Sequence, residues 1–113
     1  MGDAHQRLVK ELREHALVIG EVTLTSGRNA QYYVDAKRAI LLPAGFRALG
    51  ELVAAEAERV GATAVGGTTM GADPVACAAL AGGAHVKAFF VPSVAESTYY
   101  GGVRYYAYSL SVR

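Results

Sequence analysis

Residues 64–78 read "AVGGTTMGADPVACA", and no other stretch constrains the fold of this chain so tightly. A short apolar run ends in Gly66 and Gly67, residues Thr68 to Asp73 supply turn chemistry, and Pro74 opens a run of small apolar residues, "PVACAALAGG". Proline suits the first turn of a helix, so the stretch predicts strand, loop and helix in close order. Downstream, "HVKAFFV" (85–91) reads as a second strand, apolar without interruption after Lys87, as a strand covered on both faces would be. Strand, helix and strand at this length predict a βαβ unit, with a right-handed crossover and parallel strands.

The loop inside that unit is the first candidate site. A strand that ends in glycines and feeds a helix N-terminus aims several N–H groups at one spot, where the helix dipole favours an anion. Gly66, Gly67 and Gly71 are expected to take positive φ and let a phosphate come close, with Asp73 capping the helix. An ordinary tight strand-to-helix turn fits the same spacing, and spacing alone does not separate the two. Neither G-x-x-x-x-G-K-S/T nor G-x-G-x-x-G is present, which argues against a P-loop nucleotidase or a dinucleotide fold.

Upstream, Asp3 is predicted to cap a helix over "HQRLVKELREHALVI", with Leu8, Leu12, Ala16 and Ile19 on one face and Gly20 as its end. "EVTLTSGRNAQYYVD" then alternates, turns at "SGRN" and resumes, which predicts a hairpin. Arg28, Lys37 and Arg38 flank adjacent tyrosines, and in a strand Tyr32 and Tyr33 face opposite sides. One ring can pack inward while the other meets a flat ligand; a half-buried strand with solvated cations explains the same pattern. A second helix is predicted from Pro43 to about Val60, stopped by Gly61.

Eleven basic residues against ten acidic ones leave a formal charge of +1, which offers no electrostatic case for nucleic acid or an anionic membrane. No apolar run approaches the roughly 20 residues of a membrane span, and the polar start after Met1 does not resemble a secretory signal. The single cysteine, Cys77, excludes an internal disulfide and is expected to be small core packing; a cytoplasmic setting is expected. No spacing of His5, His15 or His85 suggests metal ligation.

In order and spacing, "VTLTSGRNAQYYVD", "AVGGTTMGADPVACA" and "VKAFFV" together resemble orotate phosphoribosyltransferase, from the first helix to Val91. The resemblance implies an α/β fold of the type I phosphoribosyltransferase kind, a parallel sheet with a helix–hairpin hood at its N-terminal side. It implies transfer of the phosphoribosyl group of phosphoribosyl pyrophosphate to orotate, giving orotidine monophosphate and pyrophosphate with Mg2+ held mainly through the substrate, in a homodimer. It places Tyr32 and Tyr33 by the base, Tyr33 as the stacking ring, Thr25 at a position that reaches the substrate's pyrophosphate, Arg28 among the substrate-binding residues, and Thr69, Met70, Gly71 and Ala72 in the pyrophosphate loop. Family members often carry lysine at the position of Thr25, and some at that of Gly71.

After Val91 the likeness stops. The family continues with an Arg-Lys pair, a mobile lysine- and histidine-containing loop, and paired acids before a Thr-Thr-Gly-like ribose-phosphate loop. Here Pro92 and Ser93 follow, the only later cations are Arg104 and Arg113, and the only later carboxylate side chain is Glu96. The chain thus divides into a partial phosphoribosyltransferase domain (1–91) and an out-of-family tyrosine-rich tail (92–113), with a hairpin conceivable about Gly101-Gly102. Such a chain is expected to be incomplete and inactive alone. Two alternatives stand beside this reading, a non-catalytic module that binds orotate or phosphate and an assembly protein that pairs through its tail.

Overall fold

The structure is a computed structural model and describes residues 2–92, 98–100 and 103–105. Its elements run α1 (Gly2–His15), β1 (Leu17–Thr23), β2 (Asn29–Val34), α2 (Lys37–Ile40), α3 (Pro43–Val60), β3 (Ala64–Thr68), α4 (Asp73–Ala81) and β4 (Lys87–Val91), then β5 (Thr98–Tyr100) and β6 (Val103–Tyr105). β1 and β2 form an antiparallel hairpin, β3 and β4 a parallel pair, and β5 and β6 an antiparallel pair with Tyr100 opposite Val103. The hairpin turn expected at Gly101-Gly102, with residues 93–97 and 106–113, lies outside the described residues.

The predicted βαβ unit is present, β3 and β4 in parallel register from Ala64↔Lys87 to Thr68↔Val91 with α4 between them in sequence and packed on both. α3 starts on Pro43 after an extended Leu42 and stops at Gly61, whose left-handed φ of 67° donates its N–H back to the Ala57 and Glu58 carbonyls. Small residues let the helices touch backbone to backbone. A Cβ on Gly50 would stand 2.6 Å from the Ala78 carbonyl oxygen, and one on Gly82 only 2.2 Å from that of Gly50. The buried apolar positions are accordingly alanines (4, 16, 39, 48, 57, 76, 78 and 79) together with Ile40, and among the described residues no large side chain is fully buried.

Several expectations need correction. α1 ends at His15 rather than Ile19, and Leu17-Val18-Ile19 open β1 opposite Val34, Tyr33 and Tyr32. β-Branched and aromatic cross-strand pairs suit a pleated ribbon, and that pairing overrides the helical spacing of Ala16 and Ile19. Asp3 sits inside the first turn of α1 and accepts from Arg7 Nε at 3.2 Å instead of capping. Asp73 is likewise the first residue of α4, with Ala72 at the cap position. Positive φ falls at Gly20, Gly27, Gly61 and Gly83, not at Gly66, Gly67 or Gly71. Cys77 is exposed, because the buried face of α4 is taken by Ala76, Ala78 and Ala79.

β4 is not covered on both faces; Ala88, Phe89 and Phe90 are only half-buried. Between α3 and β3 an open groove of about 440 Å³ is lined by Leu52, Val53, Val60, Val65 and Phe89, so among the described residues the sheet carries apolar surface without a second layer. No helix among the described residues is long and apolar enough to cross a membrane.

Exposed ion pairs decorate this frame. Arg7 bridges Asp3 on its own helix and Glu51 on α3, tying the two helices at the surface. On α3 the hydrogen bonds from Arg59, with its charge, hold the Glu56 carboxyl below the usual glutamate range. A depressed carboxylate pKa contributes stability above the unfolded value and loses it as pH falls through the folded one. Arg59→Ala is therefore expected to return the Glu56 titration, followed by carboxyl-carbon NMR, to the ordinary range.

Candidate functional site

The loop joining β3 to α4 sits where the parallel strands end, at their C-terminal side, the position at which open α/β sheets take ligands. Its first residue stays on the ladder, Thr69 donating its N–H to the Val91 carbonyl at 2.9 Å. The Ala72 N–H donates to the Thr68 carbonyl (3.1 Å) and the Asp73 N–H to the Met70 carbonyl (3.2 Å), closing the loop on itself. The amides of Met70 and Gly71 have no backbone acceptor among the described residues. The set of unengaged donors is thus narrower than the sequence suggests: Thr69, Ala72 and Asp73 are spoken for, and the tip remains.

The tip is open to solvent. Met70 is 76% exposed, and a Cβ placed on Gly71 would meet nothing within 4 Å. The base of the loop is tight by contrast. A Cβ on Gly67 would come within 2.8 Å of the Ala72 Cβ, and one on Gly66 within 2.2 Å of the Phe89 carbonyl oxygen. These glycines serve close packing against β4 and the loop, not an unusual φ. The peptide between Thr69 and Met70 is cis.

The other predicted group lies on the hairpin. Thr25 and Arg28 are exposed in the β1–β2 turn, which closes through hydrogen bonds from the Leu24 N–H to the Arg28 carbonyl and from the Gly27 N–H to the Leu24 carbonyl, both 2.8 Å, with Gly27 at φ 85°. Tyr32 lies opposite Ile19 and Tyr33 opposite Val18. The two rings take opposite faces as the alternation predicts, yet neither packs inward: Tyr32 is 64% and Tyr33 43% exposed. The structure therefore gathers Thr69, Met70, Gly71 and Ala72 at one sheet end, and Thr25, Arg28, Tyr32 and Tyr33 on a separate ribbon.

Two groupings escape a residue-by-residue reading. Thr69 Oγ1 donates to Asp73 Oδ1 at 3.3 Å, and only the i,i+4 spacing of "TMGAD" hints at it. On α1, His15 Nε2 lies 3.4 Å from a Glu11 oxygen and 3.9 Å from one of Glu14, a trio that helical spacing brings together although no pair stood out in the sequence. That trio is the half-buried to exposed end of a surface helix.

A parallel strand–loop–helix–strand with amides at the loop tip, preceded by a helix and a hairpin, has the fold of a type I phosphoribosyltransferase. More narrowly, the chain is similar to orotate phosphoribosyltransferases. It is 42% identical over 95 residues to orotate phosphoribosyltransferase of Corynebacterium glutamicum, covering 83% of this chain and 52% of that protein. Orotate phosphoribosyltransferase of Mycobacterium tuberculosis, solved with Fe(III) dicitrate, superposes with a TM-score of 0.72 at 36% identity, over 81% of this chain and 55% of that one. The same enzyme solved with 5-phospho-alpha-D-ribosyl 1-diphosphate gives 0.66 at 34% identity, over 79% and 53%. The chain spans about half the length of the curated relatives it matches. No family profile matches it.

Proposed function

We propose that this chain is the hood and pyrophosphate-loop portion of an orotate phosphoribosyltransferase. The activity is transfer of a phosphoribosyl group from phosphoribosyl pyrophosphate to orotate, in the cytoplasmic synthesis of pyrimidine nucleotides. The observation that carries the reading is the loop tip, where the amides of Met70 and Gly71 lack backbone acceptors beside the N-terminus of α4. Such donors suit the oxygens of a diphosphate. The relative solved with phosphoribosyl diphosphate supports the choice of ligand. In this reading Thr69 and Ala72 shape the loop, Thr25 offers its hydroxyl to the diphosphate, Arg28 meets the substrate, and the Tyr33 ring stacks on the base. A second copy of the chain is part of the reading, and residues 92–113 are a tail foreign to the family.

Magnesium does not find a ligand set in the loop. Asp73 is the one carboxylate there, and its Oδ1 already accepts from Thr69. Amide donors fit anions, so Mg2+ belongs with the oxygens of the substrate, and no step is assigned to it here.

The same arithmetic limits turnover. As the bond to the diphosphate breaks, negative charge builds on the leaving oxygens, and electrostatic stabilisation is the largest contribution such a site makes. Loss of one preorganised donor typically costs about 10² to 10³ in rate. The loop 68–72 carries no cation, and threonine stands at position 25. Purified chain supplied with orotate, phosphoribosyl pyrophosphate and magnesium is expected to bind the diphosphate ester by calorimetry and to release no pyrophosphate above background. Release at the rate of a full-length enzyme would overturn the claim of incapacity; absence of any binding would overturn the assignment of the loop.

A further inference from the structure

Asp73 is a carboxylate where an anion is to be bound, and electrostatics alone would disfavour it there. Its contacts explain its presence. The carboxylate accepts from Thr69 Oγ1 at 3.3 Å, in the one side-chain hydrogen bond among the described residues that is partly buried. Its own N–H donates to the Met70 carbonyl at 3.2 Å. Thr69 is itself fixed to the end of β4 through the Val91 carbonyl. Asp73 therefore grips the loop at two consecutive residues, Thr69 before the tip and Met70 in it.

The consequence follows from peptide geometry. In the planar trans peptide between Met70 and Gly71 the C=O and N–H point in opposite directions. Holding the Met70 carbonyl toward the Asp73 amide turns the Gly71 N–H to the opposite side of that peptide, away from the Asp73 amide, at the exposed tip of the loop. The side-chain bond from Thr69 keeps that arrangement from relaxing.

We propose that Asp73 is a positioning residue: through Thr69 it holds the loop so that the Gly71 amide, with that of Met70, faces a bound diphosphate. The inference rests on the substrate reading given above and adds a role for a residue that does not touch the ligand. A carboxylate acting only by charge would repel the anion, so Asp73→Asn and Asp73→Ala would both tighten binding. A positioning carboxylate separates them, because asparagine retains the acceptor oxygen and alanine does not.

The test is titration of the full chain with inorganic pyrophosphate, followed by 15N–1H NMR. Wild type is expected to shift at Met70 and Gly71. Asp73→Ala, and Thr69→Val, which removes the donor at nearly constant shape, should each weaken binding about tenfold, the scale of one lost hydrogen bond. Asp73→Asn should bind at least as tightly as wild type. Equal affinity for Asp73→Ala and wild type, or equal weakening by the asparagine and alanine variants, overturns the inference. If wild type shows no response to pyrophosphate, the substrate reading falls by itself. The orientation claim is then decided on the anion-free proteins, where unchanged Met70 and Gly71 amide resonances in Asp73→Ala and Thr69→Val would refute it.

Discussion

Replacing Gly66 by valine is expected to part β3 from β4 and to remove a large share of the stability of this chain. Gly66 lies opposite Phe89 in the parallel ladder, and a Cβ there would stand 2.2 Å from the Phe89 carbonyl oxygen and 2.6 Å from two of its ring carbons. A ring can swing aside, but a backbone oxygen in a ladder cannot move without breaking it. Overpacking of this kind typically costs about 1–3 kcal/mol and occasionally more. That is a large share of the roughly 5–15 kcal/mol by which whole domains are stable. The reserve here is small, since the shielded apolar positions are mostly alanines. Urea unfolding followed by circular dichroism should show Gly66→Val with a lost or much lowered midpoint. Gly71→Ala, which meets no neighbouring atom, should stay within about 0.5 kcal/mol of wild type. A valine variant as stable as wild type would mean that Gly66 and Phe89 are not partners.

The second large effect is a gain. Gly71→Lys should raise affinity for pyrophosphate about tenfold at low ionic strength, with the gain shrinking as salt screens an exposed charge. The site tolerates the change: Gly71 lies outside the positive-φ region, is exposed, and has open space around the new side chain. The physical reason is that two amides offer partial charges, whereas an ammonium at the loop tip offers a whole one. Calorimetry of the lysine variant and of Gly71→Ala at two salt concentrations separates charge from bulk. A lysine variant that binds no more tightly at low salt would place the anion elsewhere.

The legible and illegible parts of this chain differ in kind. Pro43 and Gly61 announced the ends of α3 because their effects are local, one a preset φ, the other freedom to adopt φ 67°. The βαβ order could be read because a glycine-ended apolar run, a proline-led helix and a second apolar run each satisfy their own period. Ala16 and Ile19 misled for a related reason. Their spacing from Leu8 and Leu12 continues a helical face, but Ile19 is 80% exposed and pairs across the ribbon with Tyr32. Which period prevailed depended on β2, ten residues away. Gly66 and Gly67 were correctly singled out and wrongly explained: a glycine that spares a collision with Phe89 or Ala72 looks the same in a sequence as one that frees φ. For the candidate site, residues 68–73 were visible as a loop, whereas the Thr69–Asp73 bond was not.

The order of the elements, the parallel pairing of the strands around α4 and the placing of the loop at their ends were determined by sequence alone. Backbone preferences and apolar periods act over a few residues and leave their mark in one dimension. Tertiary structure alone decided which amides of that loop remain unengaged, because the competing acceptors come from a distant strand and from the loop's own folded path. The carbonyl of Val91 claims one amide, and the turn closing under Asp73 claims another. Hydrogen-bond donors are counted in space, after the chain has brought its own carbonyls to them.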